Sequence, residues 1–299
     1  MQRVLIIGGT GFVGVHLQRL LQENFRVTAT GHDSDIRDSD QTRRLVASTS
    51  PDLIINLASI TTVRESFANP LETYRIGFFG TLNLLTSLKE IGFKGRMLNI
   101  SSSEVYGHPS EAELPITEGS LIKPMSPYAV SKLATEALCF QWSQTEQFDI
   151  ITARPFTHIG PGQSDRFAIS NFAKQIAEVM LGRRDPVIRV GNLGATRDFT
   201  DVRDVAAAYI SLQEKGRNGE IYNICSGNER STDSLLAELI EQANVDIKIE
   251  QDHSLIRDSE QTRIYGSNEK LNRQTGWEPK ISLTKTLNDA LQNWCEKLK

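Results

Sequence analysis

Short apolar runs alternate with segments of helical composition through the first half of the chain. The apolar runs are RVLIIGG (3–9), FRVTAT (25–30), DLIINLA (52–58), RMLNISS (96–102) and DIITARP (149–155), and the helical segments lie at 12–23, 38–48, 70–90 and 126–147. The runs carry few charged residues, as expected for strands that are buried on both faces. Repeated β-α-β units build a parallel sheet with helices on both sides. The sequence therefore predicts an α/β fold with a doubly wound, Rossmann-like parallel sheet.

The pattern changes after Pro155. Glycine and proline gather in HIGPGQ (158–163), and the elements that follow are shorter and mixed. We therefore predict a Rossmann domain at 1–156 and a smaller mixed α/β lobe at 157–299. Within that second part, VRDVAAAYISLQ and EIYNICSG have the composition of one more helix and strand, which predicts that the segment 197–224 returns to the first domain.

The composition excludes several classes of protein. The 299 residues carry a formal net charge of −4, so there is no basic footprint for nucleic acid. No apolar run reaches the roughly 18–20 residues that a membrane span needs, and the start MQRVLIIGG has the pattern of a strand, not of a secretory signal. Cys139, Cys225 and Cys295 are far apart and have no metal-ligand spacing. We expect a cytoplasmic protein without a metal site, a nucleic-acid partner or a membrane partner.

A glycine-rich turn, GGTGFVG at 8–14, follows the first predicted strand and opens a helix. A strand that turns sharply into a helix aims free backbone N–H groups at an anion. Gly8 and Gly11 would let a pyrophosphate approach the backbone, and Gly14 would allow close contact between helix and strand. The alternative is a turn with a purely structural role, but its place at the first strand of a β-α-β series favours dinucleotide binding.

The segment SPYAVSKLATEAL (126–138) predicts a helix that begins after an N-cap at Ser126, with Pro127 in its first position. Tyr128 and Lys132 are four residues apart and therefore neighbours on one helix face. They could be a core tyrosine and a solvated lysine. They could also be a proton-transfer pair, in which the cation lowers the pKa of the phenol.

The spacing G-x-x-G-x-x-G, the segment YAVSK and the segment SSSEVYG (101–107) together resemble the extended short-chain dehydrogenase/reductase family, from Gly8 to TGWEP at 275–279. The resemblance implies that Tyr128 exchanges a proton with a carbinol or carbonyl oxygen. Lys132 would hold the nicotinamide ribose and lower the tyrosine pKa. Ser102 would hydrogen-bond the same oxygen, with Ser103 as the alternative in that position.

Segments of the second half resemble the GDP-4-keto-6-deoxy-D-mannose reductases, which make GDP-D-rhamnose. These segments are RPFTHIGPGQS (154–164), NFAKQIAEV (171–179), VGNLGATRDFTDVRDV (190–205) and RDSE (257–260). The resemblance makes this lobe a nucleotide-sugar-binding lobe and implies that Arg197 and Arg257 contact the diphosphate. Each could instead pair with its neighbour, Asp198 or Asp258. The candidate substrate-binding residues are Ser103, Thr157, Asn171, Arg197, Arg257 and Glu260.

Three departures from that pattern leave the sugar open. Thr157 stands where the family usually has Asn, the RPxE segment has lost its proline, and Gly77 replaces another usual Asn. A different sugar, such as a GDP-linked 6-deoxy-heptose, would fit these changes.

Other functions stay open as well. Glu104 lies in SSE, which resembles the TSE of the 4,6-dehydratases, so GDP-mannose 4,6-dehydratase is an alternative and Glu104 is a fourth candidate catalytic residue. A nucleotide-sugar 4-epimerase is another. A non-catalytic dinucleotide-sensing protein is an alternative that is not an enzyme. A protein of that kind does not need Ser102, Tyr128 and Lys132 together.

The second strand ends without the carboxylate that would select NADH by holding the ribose 2′-hydroxyl. Gly31 and His32 follow it, Asp33 comes later, and His32 or Arg37 could offer a donor to a phosphate. We therefore predict use of both NADPH and NADH. The candidate cofactor-binding residues are Gly8, Gly11, Phe12, Val13, Gly14, His32, Asp35, Ile36, Leu57, Ala58, Tyr128, Lys132 and Pro155. The resemblance also implies a homodimer, in which the helices near 70–90 and 126–147 form a four-helix bundle.

Overall fold

The computed structural model describes residues 1–31, 33–60, 62–255 and 262–299. Its first half alternates strands and helices as the sequence predicts. The elements are β1 (Arg3–Ile7), α1 (Phe12–Leu21), β2 (Arg26–Ala29), α2 (Ser39–Thr49), β3 (Leu53–Asn56), α3 (Val63–Ala68), α4 (Pro70–Tyr74), a π-helical turn (Arg75–Phe79), α5 (Gly80–Glu90), β4 (Arg96–Ile100), two 3₁₀ turns (Ser103–Tyr106 and Glu111–Glu113), α6 (Pro127–Thr145) and β5 (Asp149–Pro155).

The second half has shorter elements. They are β6 (Thr157–Ile159), α7 (Ala168–Met180), β7 (Val187–Val190), β8 (Thr196–Asp201), α8 (Val202–Lys215), β9 (Ile221–Ile224), β10 (Glu229–Ser231), α9 (Thr232–Ala243), β11 (Lys248–Gln251), a 3₁₀ turn (His253–Leu255), β12 (Arg263–Ile264), α10 (Glu269–Thr275) and α11 (Leu283–Leu298).

The main sheet has the strand order β2-β1-β3-β4-β5-β9 and is parallel throughout. Successive residues of β1 point to opposite faces. Ile6 shares a core with Leu17 of α1 and Tyr209 of α8, whereas Leu5 shares a core with Leu84 of α5 on the other side. The predicted fold class, a doubly wound parallel sheet with helices on both faces, is confirmed.

The smaller lobe is built around β8. Strand β10 pairs with it antiparallel, β6 and β12 pair with it parallel, and β7 and β11 form a separate parallel pair. Helices α7, α9 and α11 enclose a second apolar core with these strands. Strand β9 returns to the main sheet beside β5, and α8 packs on α1. The limits that we assigned to the two domains stay a prediction.

The segment 70–90 differs from the single regular helix that its sequence predicts. A π-helical turn separates α4 from α5 where the segment meets α6. Ser131 of α6 donates its hydroxyl to the carbonyl oxygen of Thr73, 3.3 Å away. Gly77 leaves the room for this contact, because a Cβ there would lie 2.2 Å from Ser131 Oγ. The deviation follows from packing against another helix, which local sequence does not reveal.

None of the helices in the described ranges is long and apolar enough to cross a membrane. The cytoplasmic location stays a prediction.

Candidate active site

Several of the predicted site residues meet at the carboxyl edge of the main sheet, where parallel α/β folds bind ligands. The glycine turn follows β1, Leu57 and Ala58 follow β3, Ser102 follows β4, and Pro155 ends β5. Helix α6 adds Tyr128 and Lys132 from the side, because its first turn packs on the 3₁₀ turn after β4.

The glycine turn has the geometry of a pyrophosphate cradle. Gly8 adopts φ = 73°, and a Cβ there would lie 3.2 Å from the backbone of both Leu57 and Ala58. Gly11 is the N-cap of α1 and offers no side-chain cap, so the N–H groups of Phe12 and Val13 keep no intrahelical partner. Unsatisfied N–H groups at a helix N-terminus, with a bare backbone beside them, fit a dinucleotide pyrophosphate.

Gly14 serves the packing of the turn. A Cβ at this position would lie 2.1 Å from the carbonyl oxygen of Gly9, so only glycine lets α1 approach the turn this closely. The roles predicted for the three glycines thus have distinct geometric counterparts, although their binding of a cofactor stays a prediction.

The end of β2 is closed to a larger side chain. A Cβ on Gly31 would lie 2.5 Å from Thr10 Oγ1, and the Gly31 N–H donates to Asp33 Oδ1 at 3.0 Å. Asp33 is therefore held in a local turn. His32 lies outside the described residues.

Arg37 is tied to acidic side chains. Its guanidinium donates to Asp35, with Nη2 2.5 Å from Oδ2, and also pairs with Glu72. The hydrogen bond from Arg37 lowers the pKa of Asp35. Ile36 between them is buried, beneath Gly80. Arg37 was one of two donors that we considered for a cofactor phosphate, and in this structure its charge is already shared between two carboxylates.

Ser102, Tyr128 and Lys132 lie together. Ser126 caps α6 by accepting from the Ala129 N–H, which sets the first turn with Tyr128. The Ser102 side chain lies near enough to Tyr128 to lower the pKa of the phenol, against the effect of burial. Lys132 is buried, donates to the carbonyl oxygen of Ile100 at 2.7 Å, and places its Nζ 5.7 Å from the centre of the Tyr128 ring.

The electrostatics of the pair differ from the expectation that Lys132 lowers the phenol pKa. Burial raises the pKa of Tyr128 to about 12; the hydrogen bond with Ser102 opposes this, and the charge of Glu104 adds to it. Burial also lowers the pKa of Lys132 to about 8, against the attraction of Glu136. Contrary to the expectation, the pKa of Tyr128 therefore lies above its ordinary value in this structure, because burial disfavours the phenolate.

The turn after β4 holds the other two candidates from this segment. Ser103 is buried and Glu104 is exposed, and the Glu104 N–H donates to Ser102 Oγ at 3.2 Å. Of the two serines, Ser102 is the one whose side chain affects the pKa of Tyr128.

The predicted substrate-binding residues Thr157, Asn171 and Arg197 lie on three different elements, β6, α7 and β8. Thr157 is exposed at the start of β6, and Asn171 Nδ2 donates to the Asp165 carbonyl oxygen at 3.1 Å. Arg197 Nη1 donates to the Thr196 carbonyl oxygen at 2.8 Å. Asp198, the alternative partner of Arg197, is buried and accepts hydrogen bonds from Ser226, Gly227 and Gly266. Arg257 and Glu260, together with Asp258, lie outside the described residues.

Sequence reasoning missed a buried polar group behind the site. Arg154 of β5 forms a buried ion pair with Glu136 of α6 and donates to Tyr106. Two signals could have found it: a lone arginine in the apolar run DIITARP, and a glutamate four residues after Lys132 on the same helix face.

A second missed contact lies beside the glycine turn. The ring of Phe12 stacks on His158, with centroids 6.0 Å apart, and His16 Nε2 lies 3.0 Å from the Pro161 carbonyl oxygen. The loop after β6 thus packs against the first turns of α1. In the part of the chain that the structure describes, no group of three His, Cys, Asp or Glu side chains could hold a metal ion.

Comparison with known proteins gives a consistent set of relatives. Residues 26–290 match the family model described as GDP-mannose 4,6 dehydratase. The chain is 43% identical to the GDP-6-deoxy-D-mannose reductase of Pseudomonas aeruginosa, over 98% of this chain and 97% of that protein. It is 28% identical to the GDP-6-deoxy-D-talose 4-dehydrogenase of Aggregatibacter actinomycetemcomitans, over 90% of each.

Solved structures agree. The structure of RMD from Pseudomonas aeruginosa complexed with NADPH superposes with a TM-score of 0.94 at 42% identity, covering 99% of this chain and 100% of that one. A UDP-glucose 4-epimerase from Thermotoga maritima superposes with a TM-score of 0.90 at 22% identity, over 99% of this chain and 100% of that one, which shows the shared fold.

The buried Lys132 gives a prediction for stability. Its pKa falls from its ordinary value to about 8 in the folded protein, so the folded state carries an unfavourable charge below pH 8. Lys132→Met should therefore stabilise the protein at pH 7, by about 1–2 kcal/mol after loss of the hydrogen bond to Ile100. Above pH 8 the folded wild-type protein binds fewer protons than the unfolded chain, so its stability rises with pH and the gain of the variant should shrink toward pH 10.

Urea unfolding of both proteins between pH 6 and pH 10 measures this difference. Lys94→Met, at an exposed lysine, is the matched control and should change stability by less than about 0.5 kcal/mol at every pH. A Lys132→Met variant less stable than the wild type at pH 7 would contradict this prediction, because it would show that the buried ammonium does not lower the stability of the folded protein.

Proposed function

The chain belongs to the GDP-mannose 4,6-dehydratase family, and we propose that it reduces the 4-keto group of a GDP-linked 4-keto-6-deoxy sugar with NAD(P)H. The observation that carries the proposal is that Ser102, Tyr128 and the buried Lys132 lie together at the sheet edge that also holds the glycine turn. A 43% identical relative of the same length, named a GDP-6-deoxy-D-mannose reductase, supports the substrate class. The product that we propose is GDP-D-rhamnose.

Each residue of the triad has a chemical task in this reaction. The nicotinamide, when bound, supplies the hydride. Negative charge then develops on the sugar oxygen, where the hydroxyls of Ser102 and Tyr128 stabilise it and Tyr128 donates the proton. A phenol with a pKa of about 12 keeps its proton at neutral pH until that charge develops. The ammonium of Lys132 lowers the energy of the phenolate that remains.

The cofactor would be held by the glycine turn and by the surrounding strand ends. Phe12 and Val13 would donate backbone N–H groups to the pyrophosphate, and Leu57 and Ala58 would line the opposite wall. Use of NADPH is supported by the bound cofactor of a 42% identical structure. On the substrate side, we propose that Arg197 and Arg257 contact the diphosphate and that Ser103, Thr157, Asn171 and Glu260 line the sugar site.

A 4,6-dehydratase is the second candidate. The observation in its favour is Glu104, an exposed carboxylate whose charge raises the pKa of Tyr128. The name of the matched family model also fits a dehydratase. The full-length relative with 43% identity favours the reductase.

We also propose that the protein is a homodimer. Phe67 of α3, Leu71 of α4 and Phe79 of the π-helical turn are each more than half exposed, and all three elements pack on α6. Val130 and Phe140 add exposed apolar side chains on α6, which packs beside this segment. Exposed apolar side chains on two adjacent helices fit a four-helix bundle with a second copy of the chain.

The first prediction from this proposal concerns the reaction. The purified protein should consume NAD(P)H when given GDP-4-keto-6-deoxy-mannose, followed by the absorbance of the reduced nicotinamide. Tyr128→Phe should lower kcat by about 10²–10⁴ because it removes only the proton donor, while the Kd for the cofactor stays near the wild-type value. Turnover of GDP-mannose without net consumption of cofactor, and no reduction of the keto sugar, would establish the dehydratase instead.

The second prediction concerns the choice of cofactor. Because Gly31 leaves no carboxylate at the end of β2 and Asp33 is bound to the Gly31 N–H, kcat/KM with NADPH should be at least comparable to that with NADH. The measurement is kcat/KM for both cofactors at a fixed concentration of keto sugar. A preference for NADH above about 100-fold, roughly 2.7 kcal/mol, would mean that Asp33 reaches the ribose.

The third prediction concerns assembly. Phe79→Glu places a charge among the exposed apolar side chains of the proposed interface and should convert dimers to monomers in sedimentation velocity. Leu121→Glu is the matched control, because Leu121 is an exposed apolar residue outside the two helices, and it should remain dimeric. A monomeric wild-type protein, or a dimeric Phe79→Glu variant, would be evidence against this interface.

A further inference from the structure

Arg154 is a fully buried cation at the centre of four connected polar side chains, here called the Arg154 network: Arg154, Glu136, Tyr106 and Asn223. Arg154 Nε and Nη2 donate to the two carboxylate oxygens of Glu136, at 2.8 and 2.6 Å. Its Nη1 donates to Tyr106 Oη at 2.9 Å, and Tyr106 Oη donates to Asn223 Oδ1 at 2.7 Å. Arg154 and Glu136 are 1% and 4% exposed.

Stability alone does not account for this arrangement. A buried ion pair loses hydration on both sides, and well-packed apolar side chains of similar volume are often equally or more stabilising. What the pair offers instead is direction, because a guanidinium that donates two parallel hydrogen bonds to one carboxylate fixes both partners in orientation.

The network joins the elements that carry the catalytic groups. Glu136 follows Lys132 by one turn of α6, so Arg154 anchors the same helix face that presents Tyr128. Tyr106 ends the 3₁₀ turn that begins after Ser102. Arg154 itself lies on β5, between these two elements.

On this basis, and resting on the proposed reductase function, we propose that the Arg154 network is a positioning device that holds Ser102 against Tyr128. The other hydrogen bond of the Ser102 hydroxyl is local, accepted from the Glu104 N–H of the same turn. Besides the Lys132–Ile100 hydrogen bond at the end of β4, a tie between that turn and the helix runs through Tyr106, Arg154 and Glu136.

The network also prevents Lys132 from pairing with Glu136. Glu136 is close enough to Lys132 to raise its pKa, yet both oxygens of the carboxylate are occupied by Arg154. Lys132 Nζ remains on the Ile100 carbonyl oxygen, next to the Tyr128 ring, instead of turning to Glu136.

The test removes one hydroxyl. Tyr106→Phe keeps the buried ring and breaks the tie to Arg154. It should lower kcat for the keto sugar by about 10-fold to 100-fold, the effect of a small misplacement, with little change in KM or in the Kd for NADPH. Tyr222→Phe is the matched control, because Tyr222 is equally buried and its hydroxyl accepts a hydrogen bond from the Arg217 N–H, outside the Arg154 network; it should leave kcat unchanged.

A second comparison separates positioning from general destabilisation. In a Tyr128→Phe background the group to be positioned is gone, so Tyr106→Phe should have little further effect on kcat. Arg154→Lys keeps the charge but cannot bind Glu136 and Tyr106 together, so it should reproduce the loss caused by Tyr106→Phe. Equal losses in both backgrounds, or a Tyr106→Phe enzyme with the wild-type kcat, would overturn the proposal.

Crystal structures of the wild type and of Tyr106→Phe give a readout that needs no turnover. The separation of Ser102 Oγ and Tyr128 Oη should be larger in the variant than in the wild type, by more than about 0.5 Å. An unchanged separation refutes the positioning role whatever the enzyme does. A wild-type protein that reduces no keto sugar refutes the proposed function and leaves this geometric result to decide the network.

Discussion

The hydrogen bond from Lys132 Nζ to the carbonyl oxygen of Ile100 is the contact on which the site depends. It connects the helix that carries Tyr128 to the last residue of β4, and Ser102 lies two residues beyond that point. An ammonium buried among protein atoms is unfavourable, which is why its pKa falls to about 8. The fold tolerates it because α6 and the sheet are packed into two apolar cores that leave little freedom for adjustment.

The polar groups around this contact form two layers with different tasks. Ser102, Tyr128 and Lys132 lie at the carboxyl edge of the sheet, where the nicotinamide and the keto sugar would meet. Arg154 and Glu136 lie behind them and are closed to solvent. In this account the outer layer performs the proton transfer and the inner layer fixes its geometry, so that the catalytic groups need no rearrangement when charge develops on the sugar oxygen.

Features set by local sequence could be predicted, and features set by packing could not. The strands and the order of helices followed from apolar runs and breakers. The extended short-chain dehydrogenase/reductase family followed from the glycine turn, YAVSK and SSSEVYG, and the likeness to the reductases followed from segments of the second half. Both predictions are confirmed. The π-helical turn was missed because it depends on Ser131 of another helix. The direction of the Tyr128 pKa was wrong because spacing shows which charges are near but not how much water is excluded. The Arg154 network joins residues far apart in sequence, which no local motif reveals.

The central claim is that hydride reaches carbon 4 of a GDP-linked keto sugar while Tyr128 supplies a proton to its oxygen. The most direct measurement is incubation with GDP-4-keto-6-deoxy-mannose and NADPH deuterated at the transferable position, followed by NMR of the product. If hydride is transferred to carbon 4, deuterium will appear on carbon 4 of GDP-D-rhamnose and on no other sugar carbon. A sugar without deuterium, formed while the reduced cofactor remains unconsumed, would contradict it.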